Sequence, residues 1–429
     1  MHALAADWRI AQIDGMNAYL VGGIVRDTLL NLELGLGVAC KDRDWVVVGA
    51  TPQEMLAAGF RQVGADFPVF LHVTTGEEYA LARTERRHGR GHRGFVVHAA
   101  PEVTLEEDLA RRDLTINAMA YDEATDRLID PYGGRADLRG RVLRHVSPAF
   151  VEDPLRVLRV ARFAARLPEF SLADETRALM AGMTERGDLA ELTPERVWNE
   201  VVRALGERRP RRFLEVLRDA GALAVVLPEV DRLFGVPQPA IHHPEIDTGL
   251  HTLMVLDAAC AISSDPTVRF AALVHDVGKG ITPTEKLPAH HGHDAAGLPL
   301  VEALCARLRV PNRFRDLAVD VCREHVLVHD ASVLRPGTLL DILERTRAFR
   351  DAAHFEAFLL ACEADARGRL GREAEPYPQA TLLRRAREAA LPVTGAQFVA
   401  QGHAAGPQIG ELVRQERVRR IRTVMAQQV

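Results

Sequence analysis

The sequence predicts an α+β protein, with a mixed α/β head followed by an all-α neck and an all-α body. Short β-branched runs at Ala18–Val21, Trp45–Val48 and Gly94–Val97 alternate with helical stretches such as Thr51–Ala58. From Ser147 onward the pattern changes: Leu155, Leu158, Ala161 and Ala165 recur at helical spacing, and helical signals dominate the remainder. The length of 429 residues allows roughly three domains. These observations divide the chain into an N-terminal extension over 1–17, a head over 18–142, a helical neck over 143–227, a body over 228–375 and a helical tail over 376–429.

The strand Ala18–Val21 leads into Gly22-Gly23-Ile24-Val25-Arg26-Asp27 and a helix over Ile24–Leu32. Glycines there let a phosphate approach backbone N–H groups at a helix N-terminus, and Arg26 can clamp it. A tight strand-to-helix turn would use the same glycines. Asp42-Arg43-Asp44 then opens the apolar strand Trp45–Val48. Residues two apart on a strand share a face, so Asp42 and Asp44 project together. Two carboxylates at the start of an apolar strand call for a cation. Bridged magnesium ions holding the attacking and leaving oxygens of a phosphoryl transfer fit, while a solvated strand end is the plainer alternative. The segment Glu78–Arg87 reads as a strand running into a basic loop, with five arginines against one acid over 81–93. Arg111-Arg112-Asp113, followed by Asn117, can bind a triphosphate and orient a sugar or a metal ligand, or form a salt-bridged helix start. Pro131-Tyr132-Gly133-Gly134 is a turn near the end of the head.

In the neck, Asp153, Arg156, Arg159 and Arg162 recur every third residue and form a stripe on one helix face. Residues 135–166 hold eight arginines against three acids, so this face is positive within an acidic chain. Asp153-Pro154 can be a simple N-cap and first turn, with Arg156 as its ion-pair partner. Alternatively, Asp153 and Arg156 present an acceptor and donors to a Watson–Crick edge, accepting C and A while mismatching G and U. Thr193-Pro194-Glu195 marks another helix start.

Many of the 17 histidines of the chain lie within 242–329. His251 opens a helical run, and His275-Asp276 ends an apolar helix before Val277-Gly278-Lys279-Gly280. His290, His291 and His293 are expected in a loop over 281–297, followed by His325, His329 and Asp365. A lone histidine is usually structural. A His-Asp pair ended by glycines, with another histidine about 24 residues upstream, fits a divalent transition metal.

Composition narrows the class further. The formal net charge is −5, which excludes a histone-like binder but not local basic surfaces. Three of the 54 basic residues are lysine (Lys41, Lys279 and Lys286). GC-rich coding would produce this skew, and so would a preference for the arginine fork at phosphates and bases. Five cysteines without a C-x-x-C pair, no apolar run near 18 residues and no secretory h-region lead to the expectation of a cytoplasmic protein without membrane contact.

Gly-Gly-x-Val-Arg-Asp, Asp-x-Asp and Arg-Arg-Asp-x-Thr-Ile-Asn-Ala, in this order, resemble the head of the bacterial class II CCA-adding enzymes. These are tRNA nucleotidyltransferases of the polymerase-β-like superfamily. The resemblance implies that Asp42 and Asp44 are catalytic and hold Mg2+, and that Gly23, Arg26 and Arg112 contact the nucleotide. The third carboxylate usual in the superfamily is not set by spacing, and Asp113 is a candidate. Glu152-Asp153-Pro154-Leu155-Arg156 resembles the family's protein template, which implies nucleotide binding by Asp153, Arg156, Arg159 and Arg162. His251, His275-Asp276 and Asp365 resemble an HD-domain phosphohydrolase, implying a metal such as Ni2+ and hydrolysis of phosphoesters. The loop histidines can bind a second metal or a phosphate. Implied partners are the tRNA 3′ end, CTP and ATP, with no nucleic-acid template. A bacterial poly(A) polymerase and an HD hydrolase with an RNA-docking head are the alternatives. In the tail, Arg414, Arg417, Arg419, Arg420 and Arg422 either touch tRNA or face solvent.

Overall fold

The computed structural model describes residues 16–40, 43–63, 69–87 and 95–427. The chain forms two compact units: Met1–Val197 with Glu215–Ala222, and Trp198–Leu214 with Leu223–Val429.

In the first unit, seven strands build one mixed sheet. They are β1 (Asn17–Val21), β2 (Asp44–Val48), β3 (Arg61–Val63), β4 (Val69–Leu71), β5 (Glu78–Leu81), β8 (Ala120–Asp122) and β9 (Arg127–Ile129). Their order is β3-β4-β5-β2-β1-β8-β9. The β2–β5 pair is parallel and the other pairs are antiparallel. The segment Glu78–Arg87, expected as a strand running into a basic loop, forms two strands instead. The chain leaves the sheet at Ala82, whose N–H donates to Val47 O at 2.8 Å. It then forms β6 (Arg83–Arg87), which pairs with β7 (Phe95–Ala99) as a separate ribbon. One core of the head gathers Val21, Val46, Ala82, Val103, Leu109 and Ala120 from strands, turns and a short helix.

Helix α1 (Gly23–Leu34) follows β1, as the glycine turn predicted. It ends at Gly35, and the next residues fold back onto it. The Asn31 side-chain amide donates to Val38 O at 2.7 Å, and its carbonyl accepts from Val38 N at 2.6 Å. Helix α2 (Leu155–Arg166) carries Arg156, Arg159 and Arg162 of the neck stripe, and Asp153 lies in the extended segment before it.

The second unit is helical. Helices α3 (Thr248–Ile262), α4 (Pro266–Val274), α5 (His293–Arg307), α6 (Asn312–His329) and α7 (Ala352–Arg367) form the body. Asp247, Asp265 and Asp351 cap α3, α4 and α7, each accepting a backbone N–H of the first turn. Small residues let these helices approach. Val255, Ala259, Ala272 and Ala364 share one buried cluster.

The end of the loop expected over 281–297, from His293 on, is helix instead. Gly297 reads as a chain break, but its role is close packing. A Cβ at Gly297 would lie 2.8 Å from Cys322 Sγ, and one at Gly278 would lie 2.0 Å from His293 O. The two glycines therefore let α5 press against the turn after His275-Asp276, and His293 becomes the first residue of a fixed helix.

In the tail, α8 (Pro378–Ala390) and α9 (Pro407–Ala426) are helical as expected. Their arginines are largely engaged within the unit. Arg414 pairs with Asp341 at 2.7 Å, Arg417 stacks on Phe349 at 4.2 Å, and Arg419 and Arg420 share Glu416.

Candidate active sites

A cleft of about 510 Å³ opens in the first unit, lined by seven arginines and four acids. The parallel pairing of β2 with β5 sets Asp44 opposite Glu78, and both are exposed at the strand starts. The other face of these strands is anchored. Arg43 lies 3.0 Å from Glu77 and 2.7 Å from Glu123, and Trp45 Nε1 donates to Glu77 at 3.1 Å. The Trp45 ring stacks on Tyr79 at 5.4 Å. Strand alternation thus fixes one face by packing and leaves Asp44 and Glu78 on the other. Asp42 lies outside the described residues. Glu78 was not singled out from the sequence. It heads the alternating run Glu78-Tyr79-Ala80-Leu81 much as Asp44 heads its own strand, but the pairing that joins them is not written locally.

Gly22 has φ +70°, a conformation that glycine adopts freely, and a Cβ there would stand 3.1 Å from Arg112 NH1. The N-terminus of α1, beginning at Gly23, has no side-chain cap, so its N–H groups suit an anion. Arg26 is buried beside this turn. Its Nε donates to Asp27 at 2.7 Å, its NH1 donates to Asn117 Oδ1 at 2.6 Å, and it stacks on Phe163. Asn117 donates in turn to Asp113 Oδ1 at 2.8 Å, and Arg159 donates to Asp113 Oδ2 at 2.9 Å. Arg166 closes the chain on Asp27 at 2.8 Å. Asp113, the candidate third carboxylate, therefore ties the head to α2. Burial opposes its charge, but Arg159, Asn117 and the Leu114 N–H hold its carboxyl well below the usual range. Arg111 and Arg112 both pair with the buried Asp108, at 2.7 and 3.2 Å.

Just before α2, Asp153 is extended and accepts from Leu155 N at 3.1 Å, while Pro154 takes the N-cap position expected for Asp153. The ion-pair partner of Asp153 is Arg196 at 2.9 Å. Arg156 is 6% exposed, and its guanidinium donates to the carbonyls of Ala149 and Arg111. Asp153, Arg156, Arg159 and Arg196 all line the cleft. Arg162 does not line it and stacks on Phe163 at 4.9 Å.

The second unit brings together His251, His275, Asp276 and Asp365, all deeply buried. His251 Nε2 lies 3.2 Å from Asp365 Oδ1, and His275 Nε2 lies 3.2 Å from Asp276 Oδ2. His293 and His325 join them, with Nε2 atoms 3.0 and 3.4 Å from Asp276 Oδ1. His290 and His291, expected in the same loop, do not. His290 faces Thr282 and Pro237, and His291 is exposed.

The hydrogen bonds assign the tautomers. His275 Nδ1 meets Ala272 O at 2.8 Å, His325 Nδ1 meets Val321 O at 2.9 Å, His293 Nδ1 meets His290 O at 2.8 Å, and His251 Nδ1 meets Gly368 O at 3.1 Å. With each ring proton donated to a carbonyl, four Nε2 lone pairs converge on two carboxylates. His275 Nε2 and both oxygens of Asp276 are sealed from water without a well-formed hydrogen bond. Lone pairs crowded this way repel unless a cation joins them, and the mixed N/O set fits a divalent transition metal. Without metal, a proton is the remaining cation. Burial opposes it, but Asp276 and Asp365 push His275 up to about 10. Lys279 adds a fixed charge 2.6 Å from Asp276 Oδ2.

Comparison with known proteins decides the family. The Poly A polymerase head domain matches residues 18–144, the probable RNA and SrmB-binding site of polymerase A matches 169–234, and the HD domain matches 248–364. The multifunctional CCA protein of Thioalkalivibrio sulfidiphilus is 60% identical over 414 residues, covering 96% of this chain and 99% of that one. This chain belongs to the multifunctional CCA proteins. That of Vibrio cholerae (strain O395) is 58% identical over 405 residues, covering 94% of this chain and 98% of that one. A solved CCA-adding enzyme of Bacillus stearothermophilus in complex with CTP is similar at TM-score 0.63 and 26% identity, covering 97% of this chain and 90% of that one. The fold is therefore a polymerase-type head followed by helices and an HD domain, and the chain is an enzyme, a nucleotidyltransferase. Among the described residues, no helix is long and apolar enough to cross a membrane.

Proposed function

We propose that the head adds C, C and A to the tRNA 3′ end without a nucleic-acid template. The observation that carries this reading is the union, in one cleft, of exposed carboxylates, an uncapped helix N-terminus and the Asp153–Arg156 edge reader. The triphosphate sits at the Gly22-Gly23 turn, held by Arg26 and Arg112, with Arg159 adding to the basic surround; Arg162, which does not line the cleft, would act only from behind it. Asp42 and Asp44 would hold Mg2+, with Glu78 as the third carboxylate. An all-oxygen set suits that ion, which activates the attacking hydroxyl and stabilises leaving charge. The tRNA 3′-hydroxyl attacks the α-phosphate, and pyrophosphate leaves. Asp153 accepts from the exocyclic amine of C or A, while Arg156, held by two carbonyls, donates to the neighbouring ring position. Incubating tRNA that lacks its 3′ end with CTP and ATP tests this: two C and one A are expected. A long A tract would make the protein a poly(A) polymerase.

The crowded Nε2 atoms support a second, metal-dependent activity, an HD phosphohydrolase that would act as a 2′,3′-cyclic phosphodiesterase, 2′-nucleotidase and phosphatase. His251, His275, Asp276 and Asp365 would hold one divalent metal such as Ni2+, and Asp276, His293 and His325 would hold a second. A divalent metal held there would lower the pKa of a bound water and so supply the attacking nucleophile. Lys279 orients Asp276 and offsets phosphate charge. Hydrolysis of a 2′,3′-cyclic nucleotide that depends on added Ni2+ or Mn2+ is the expected result. Action on tRNA supports a cytoplasmic location.

A further inference from the structure

The side chains that face the HD centre are braced by residues outside the span that matches the HD domain, 248–364. On the N-terminal side, Glu245 is buried and lies 3.0 Å from His251 Nδ1 and 3.0 Å from His243 Nδ1. Gln238 reaches Glu245 Oε1 at 3.3 Å, and its own carbonyl accepts from Lys279 Nζ at 3.1 Å. The loop carrying Glu245 is held in an unusual backbone: Ile246 has φ +61°, which β-branched residues rarely adopt. On the C-terminal side, the Tyr377 hydroxyl lies 3.0 Å from His329 Nδ1, and His329 Nε2 lies 2.6 Å from Asp365 Oδ2.

We propose that Glu245 and Tyr377 are positioning residues that set the affinity of the HD centre for its divalent metal, the latter through His329. The proposal rests on the metal-dependent reading of this centre. Glu245, with the Gly368 carbonyl, keeps the His251 proton on Nδ1, so Nε2 stays a lone pair directed at the metal. Tyr377 works on the opposite tautomer. Its hydroxyl donates to His329 Nδ1, so His329 Nε2–H donates to Asp365 Oδ2. Asp365 is then fixed with Oδ1 turned inward, 3.2 Å from His251 Nε2 and 3.6 Å from His275 Nε2. The working centre thus extends from the loop before α3 to the start of the tail.

The test uses the full chain stripped of metal by a chelator. Ni2+ is titrated calorimetrically into wild type, Glu245→Gln and Tyr377→Phe. Each variant is expected to bind Ni2+ about 10–100-fold more weakly. The unfolding temperature of the metal-free protein and the rate of CCA addition should stay unchanged, and excess Ni2+ should restore hydrolysis. A purely structural role would lower the unfolding temperature and would not yield to excess metal. Should Glu245→Gln unfold, Tyr377→Phe decides alone, since it removes one oxygen and keeps the ring. Wild-type affinity in the folded variants would overturn the proposal while leaving the metal reading intact. No Ni2+ binding by wild type would overturn both.

Discussion

The head cleft and the HD centre both gather carboxylates but present them differently. Asp44 and Glu78 are exposed, supplied by neighbouring strands, and offer only oxygen. Asp276 and Asp365 are buried among imidazoles whose tautomers are already fixed by backbone carbonyls. The difference teaches how one chain can keep two metal chemistries apart. A hard, readily hydrated ion fits the open oxygen site and arrives with the phosphates it serves. A nitrogen-rich buried site suits a softer metal that stays bound between turnovers.

Separating the two sites gives the largest effects. Asp44→Asn should lower CCA addition about a thousandfold, the rate equivalent of the several kcal/mol that a catalytic cation supplies. The same variant should hydrolyse a cyclic phosphate at the wild-type rate. Asp276→Asn should show the reverse pattern, since its two oxygens face two groups of ligands. Initial rates of both reactions on each variant decide this. Loss of both activities in either variant would break the comparison, because the sites would then not be independent.

A smaller effect concerns the proposed choice of base, in which Arg156 of the neck would take part. Arg156 is held by the carbonyls of Ala149 and Arg111, a geometry for a planar fork. Lysine carries one point charge and cannot hold both carbonyls while donating to a base. Arg156→Lys should therefore reduce discrimination against UTP and GTP about 10–100-fold, the range of one lost directional pair. It should leave the Ni2+ affinity of the body unchanged. Ratios of kcat/KM for the four nucleotides measure it, and wild-type ratios would remove Arg156 from the template.

The two sites also differed in how far the sequence revealed them. The glycine turn and the Asp44 strand are local patterns, and local geometry carried them into the structure; of the neck stripe, Arg156 and Arg159 share the cleft with Asp153, which precedes the helix, while Arg162 does not line it. Glu78 escaped because its meaning depends on the parallel pairing of β2 with β5, which joins segments more than 30 residues apart. Arg196 belongs to the segment Thr193-Pro194-Glu195-Arg196, which resembles the family's neck, but its pairing with Asp153 across 43 residues is a tertiary contact that no local pattern reports. In the body, His251, His275 and Asp276 followed from spacing along two helices. His293 was expected in a loop because Gly297 looks like a breaker. The glycine instead serves close packing, a tertiary reason that no local pattern reports. Glu245 and Tyr377 carry no motif at all.

The smallest effect contrasts a tether in the head with one in the tail. Glu33 joins the end of α1 to Arg135 and Arg139, at 2.6 and 2.7 Å, across about a hundred residues. Glu416 joins Arg419 and Arg420 within a single helix. Partial burial opposes the Glu33 charge, but hydrogen bonds from Arg139 and Arg135 lower its pKa overall. Its folded value thus lies below its unfolded one. The stability it adds is complete above the unfolded value, about pH 4.3, and is lost as pH falls through the folded value. Exposed pairs of this kind contribute at most about 1 kcal/mol. Glu33→Gln should therefore lower the melting temperature slightly at pH 7, with the difference from wild type closing in acid. Glu416→Gln should change it less, because its arginines sit on the same helix and close no long loop. A Glu33→Gln difference that stays constant from pH 7 to pH 2 would mean that the side chain acts by packing rather than by charge.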